Sequence, residues 1–143
     1  MPLCVYDNPR TTQVHFTDEL HGRISRLPNV RSIGVSGDWA GVSGLNAGCD
    51  VWYSAMGGLF PRTALALARA ALPGDAGRAT ESSDALKPLW ELLRQYGGLR
   101  VLSAAASHLG LTSEPNLPRP LRGLDEASRR DVTAVLDALQ LTT

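Results

Sequence analysis

Hydrophobic and polar positions follow two different rhythms along the chain. In the first half, short apolar or β-branched runs alternate with helical spacing. Leu3 to Tyr6 reads as a strand and is broken at Asp7-Asn8-Pro9, where proline turns Asn8 away from helical backbone and fixes its own φ. Thr17 is a good N-cap, with Asp18 and Glu19 behind it where a helix dipole favours acids. Leu20, Ile24 and Leu27 then recur at helical spacing up to Pro28. Val30 to Val35 reads as a short strand interrupted at Gly34, and the five glycines from Gly34 to Gly48 predict a loop plus a short, weak helix. Cys49 to Ser54 suits a strand through Val51, Trp52 and Tyr53, and Pro61 is well placed to open a helix over Arg62 to Leu72. Strand, helix, strand, weak helix, strand, helix is the order of parallel βα units.

Beyond Pro73-Gly74 the spacing is helical throughout. Leu86, Leu89, Trp90 and Leu93 form one stripe, closed by Gly97-Gly98, and Pro88 either bends that helix or marks its first turn. A second helix covers about Leu99 to Leu109 and stops at Gly110; Pro115 to Pro120 is a proline-rich connector. Asp125 caps a last helix with the stripe Val132, Val135, Leu136 and Leu139. The expected organisation is an α/β segment of about three βα units over 1–72, followed by a three-helix domain over 73–143.

Composition narrows the function classes. The 143 residues suit one domain, and 14 basic against 14 acidic side chains leave no net charge. That balance removes the electrostatic drive toward nucleic acid or anionic lipid. No stretch approaches the roughly 20 apolar residues of a membrane span, and no basic-flanked apolar leader is visible, so the cytoplasm is the expected location. Cys4 and Cys49 are too few for a disulfide scaffold or a thiolate zinc site and read as small buried hydrophobes. Arginine carries almost all the positive charge; Lys87 is the only lysine.

Few residues announce chemistry by themselves. Gly34-Val35-Ser36-Gly37-Asp38 lacks the Lys-Ser/Thr ending of a phosphate loop, and Ser36 and Ser43 lack the flanking glycines of a nucleophile elbow. The ordinary reading is a flexible strand-end loop, a good location for ligand contact in an α/β protein. His15 and His21 lie six apart and His108 stands alone, so no metal site is expected. Tyr6 ends its strand beside a tight turn. A phenol there can move protons, although structural tyrosines are common at such ends.

Val5-Tyr6-Asp7-Asn8-Pro9-Arg10-Thr11-Thr12 resembles the Tyr-Asn-x-Pro-x-x-Thr segment of the dihydrodipicolinate synthase and N-acetylneuraminate lyase family. Those proteins are class I aldolases and lyases on a TIM barrel with a helical C-terminal domain. Leu27-Pro28-Asn29-Val30 is similar to the family's lead into barrel strand six, and Val35-Ser36-Gly37-Asp38 to its turn after strand seven. Ala47 to Ser54 is similar to the approach to strand eight, and Lys87-Pro88-Leu89 and Leu117 to Leu121 to its C-terminal helices. The resemblance covers nearly the whole chain and implies a partial TIM barrel. Where the family carries its Schiff-base lysine, on strand six directly after a segment like Asn29 to Ile33, Gly34 stands. About one βα unit, on the order of 30 residues, is absent between Ile33 and Val35, and strands one to four have no counterpart.

By resemblance the function is that of a 2-keto acid (pyruvate)-dependent aldolase or lyase. The resemblance makes Tyr6 the proton relay and puts Arg10 or Thr11 at the carboxylate-contacting turn; the family's arginine falls one position after Arg10. It puts Gly37, Asp38 and Tyr53 at the ketone pocket. It implies no cofactor and no metal, and a small keto acid as partner. Without the lysine the isolated chain is expected to be inactive, the alternative being an assembly or keto-acid-binding module. Three strands cannot close a barrel, so association is expected, as a homo-oligomer or through open sheet edges.

Overall fold

In the computed structural model, Pro2–Tyr6 (β1), Ser32–Ser36 (β2) and Val51–Tyr53 (β3) form a parallel sheet in the order β1-β2-β3. The structure describes residues 2–6, 18–72 and 75–141, the first strand and Asp18 by backbone alone. Pro2 pairs with Ser32 and Tyr6 with Ser36; Ser36 in turn pairs with Tyr53. Crossovers run through Asp18–Ile24 (α1) and, after a 3₁₀ turn at Asp38–Ala40, through Gly41–Asn46 (α2). The alternation expected from the sequence is therefore present, with a difference in β2. Gly34 is an interior residue of one continuous strand, not an interruption.

Strand alternation gives the sheet two unlike faces. Ile33 and Val35 are buried and join Ile24, Ala40 and Cys49 in a small core under the helices. α2 lies so close to the sheet that a Cβ on Gly44 would come within 2.6 Å of the Val35 Cβ. α2 is the short helix expected in this stretch, and its glycine serves helix-on-sheet packing. On the other face Val51 is 39% exposed and Tyr53 51% exposed.

Pro61–Ala71 (α3) follows, with Pro61 in the first turn as expected. Among the described residues four helices lie beyond residue 73, not three: Ala76–Asp84 (α4), Lys87–Tyr96 (α5), Gly98–His108 (α6) and Glu126–Leu139 (α7). α4 escapes a periodicity search because it buries only Ala79 and has no apolar stripe. Its one local signal is the N-cap Asp75, whose carboxylate accepts the Arg78 N–H at 3.1 Å. Pro88 sits in the first turn of α5, where a missing N–H costs nothing. Asp125 caps α7 by accepting from the Ser128 N–H at 2.8 Å.

One large core joins the sheet layer to the helices. It holds Val42 and Leu45 of α2, Met56 and Phe60 before α3, Leu89 and Leu93 of α5, Val101 of α6 and Val132 of α7. It runs straight through the 72/73 position at which the composition changes. No helix among the described residues is long and apolar enough to cross a membrane.

Candidate functional site

The carboxyl ends of the three strands lie in one row: Tyr6, Ser36 and Tyr53 are successive partners across the sheet. In parallel α/β folds this end is where ligands bind, because the loops that follow the strands converge there. Gly37, at φ 107°, takes a conformation that a side chain would resist and turns the chain sharply out of β2. The next residue, Asp38, is 6% exposed. Its Oδ1 accepts from the Ser54 hydroxyl at 2.6 Å and its Oδ2 from the Met56 N–H at 3.0 Å. Ser54 Oγ accepts from the Gly57 N–H at 2.8 Å, so Asp38 staples the turn after β2 to the turn after β3. Burial pushes the Asp38 carboxyl above its ordinary range, while hydrogen bonds from Ser54, Met56 and Ala55 pull the other way.

Above the strand ends lies an open cavity of about 400 Å³. Ser36, Gly37, Asp38, Trp39 and Tyr53 form its sheet side. The helical half forms the other wall through Leu93 and Tyr96 of α5, the Gly97 turn, Leu99 and Arg100 of α6, and Leu121. The size suits a small ligand. Arg94 stacks over Trp39, its guanidinium carbon 5.3 Å from the ring centre, and holds that side of the mouth. The Tyr96 hydroxyl donates to Asp131 at 2.8 Å, which raises the phenol's pKa.

Three of the residues singled out in the sequence, Gly37, Asp38 and Tyr53, thus line one cavity. Tyr6 ends β1 in the same row, although its side chain lies outside the description; Arg10 and Thr11 lie outside the described residues altogether. No motif or spacing marks Trp39, Tyr96 or Arg100, which tertiary packing brings to the mouth. Gly97-Gly98 signalled only a helix end. Lys87 lies elsewhere. Its side chain, on the first turn of α5, is 64% exposed and its ammonium pairs with Asp84 at 3.2 Å. Leu93 and Tyr96, six and nine residues on, are the α5 residues that border the mouth, which separates them from Lys87 by about 9 Å and about 13 Å along the axis. Among the described residues no three His, Cys, Asp or Glu side chains cluster to hold a metal ion.

No family model matches the chain. The 4-hydroxy-tetrahydrodipicolinate synthase of Ruegeria pomeroyi is 28% identical over 159 residues, covering 95% of this chain and 54% of the relative. That aligned stretch is longer than the 143-residue chain, so the relative carries residues inside the match that this chain lacks. Among solved structures, dihydrodipicolinate synthase from Agrobacterium tumefaciens is 39% identical with a TM-score of 0.72, covering 97% of this chain and 56% of that one. The chloride-inhibited dihydrodipicolinate synthase from Acinetobacter baumannii, complexed with pyruvate, shares the fold at 16% identity and a TM-score of 0.75, covering 99% of this chain and 56% of that one. The chain spans about half the length of the curated relatives it matches. It therefore matches dihydrodipicolinate synthases along nearly all of its own length, in a manner consistent with the C-terminal half of those proteins.

Proposed function

We propose that this chain binds a small 2-keto acid without covalent capture, at the mouth formed by the strand ends. The observation that carries the reading is the placement of Lys87. A class I aldolase needs an amine that is desolvated and lowered in pKa, so that it can attack the ketone and form an imine. Lys87 is solvated, paired with Asp84, and attached to the end of α5 away from the mouth. Gly34, where the resembling family has its lysine, carries no side chain, and the Tyr53 ring lies over it: a Cβ there would meet the ring at 2.6 Å. What remains is a largely apolar mouth with the Gly37 backbone, Tyr53 and, by resemblance, Tyr6 and the Arg10–Thr11 turn as keto-acid contacts. A fold relative complexed with pyruvate supports that ligand class.

The test is borohydride trapping. Pyruvate with borohydride should leave the intact mass unchanged, while pyruvate alone should alter the fluorescence of Trp39 at the mouth. A mass increase mapped to Lys87 would defeat the proposal.

A second reading, assembly, is favoured by the sheet face bearing the exposed Val51 and Tyr53. Open edges and exposed apolar side chains favour self-association. Sedimentation at tens of micromolar is expected to show a dimer or larger species, and a monomer at all concentrations would remove this reading.

A further inference from the structure

We infer that Arg100 is the carboxylate-recognising residue of the mouth, holding the ligand from the helical side. The inference rests on the keto-acid reading for the ligand's identity, but its geometry is independent of it. Arg100 is half-buried in the first turns of α6 and lines the same cavity as Gly37 and Tyr53. Its Nε donates to the Arg122 carbonyl at 3.0 Å and its Nη2 to the Gly123 carbonyl at 3.2 Å. Those two nitrogens form one edge of the planar guanidinium, and two backbone carbonyls therefore fix the plane. The end edge, with one hydrogen each of Nη1 and Nη2, donates to no described residue. Two parallel N–H donors on a pre-oriented plane match the two oxygens of a carboxylate.

The competing acids are otherwise engaged. Asp125, on which the Arg100 charge acts, is held below its ordinary range first by the Ser128 N–H that it accepts as N-cap of α7, and only in lesser part by Arg100. Asp38 is occupied by Ser54 and Met56. The other arginine near the mouth, Arg94, lies over the face of Trp39. Arg100 is thus the cation left with a free end edge among the described residues of this cavity. Because α6 and the strand ends meet only in the folded chain, the ligand would bridge sheet and helices, its carboxylate on Arg100 and its remainder toward Gly37 and Tyr53.

The experiment follows the Arg100 side-chain N–H resonances and those of Gly37 during titrations with pyruvate, acetate and methyl pyruvate. Pyruvate and acetate should both shift Arg100, and the neutral ester should bind about tenfold more weakly, the loss expected when a charge-assisted hydrogen-bond pair is removed. Arg100→Gln should weaken pyruvate by a similar factor, with circular dichroism and melting temperature confirming a folded chain. The comparison of acid with ester in the unsubstituted protein needs no variant and guards against misfolding. Equal binding of acid and ester, an unshifted Arg100, or full affinity in the folded Arg100→Gln protein would overturn the assignment. Pyruvate that moves Gly37 but not Arg100 would overturn it while sparing the keto-acid reading. Acetate and pyruvate binding equally well through Arg100 would uphold it and defeat the keto-acid reading.

Discussion

Phe60→Ala is expected to cost about 3–5 kcal/mol of folding free energy, measured as a lower midpoint in urea, because it empties the centre of the main core. Phe60 is 0% exposed and stands at the entry to α3, its N–H donating to the Met56 carbonyl at 2.8 Å. The cluster around it draws on α2, α5, α6 and α7, so no single neighbour can close the void. Domains of this kind hold only about 5–15 kcal/mol in total, and the variant would lose a large share of it. Leu65→Ala, on the exposed side of α3, should change stability by about 0.5 kcal/mol or less. A loss under about 1 kcal/mol at Phe60 would contradict a core shared by α2, α5, α6 and α7.

Asp38→Ala is expected to cost about 3 kcal/mol, since it strands the Met56 N–H in a buried position and deprives Ser54 of its acceptor. Asp38→Asn should behave differently. The amide oxygen can accept from Met56 while the amide nitrogen donates to Ser54 Oγ, keeping stability at neutral pH within about 1 kcal/mol of the parent. The pair also separates charge from shape. Because burial outweighs the hydrogen bonds, Asp38 holds its proton more tightly folded than unfolded. Its contribution is therefore fully present below the ordinary value of 3.8 and is lost as pH rises through the raised folded-state value. Stability measured from pH 4 to 7 should fall in the parent relative to Asp38→Asn. Parallel pH profiles for the two proteins would refute the raised carboxyl.

Elements with a local cause were legible in the sequence. Pro61 opening α3, Pro88 in the first turn of α5 and Asp125 capping α7 each act within one turn of helix, and the structure has all three. α4 was not legible because its stability comes from packing: α3 and α2 lie against it, while its own sequence buries one alanine. Gly34 misled in the opposite direction. A glycine inside a β-branched run signals a break, yet here the Tyr53 ring covers it and the ladder continues. At the site, Gly37, Asp38 and Tyr53 could be singled out because the resemblance has an ordered motif at each. Arg100 had no such motif, and about sixty positions of chain separate it from Gly37. Only the docking of α6 over the strand ends brings the two together.

The register of the sheet has a bearing on how the molecule is built. β1 and β2 pair residues thirty positions apart, Pro2 with Ser32, whereas α5 and α6 are joined through Gly97 alone. Closing a long loop before any contact rewards it slows folding, and parallel pairing has no hairpin to start from. The helices therefore have the kinetic head start, and the strands are added to a surface already formed. The row of strand ends that makes the mouth is then expected to assemble after the helices.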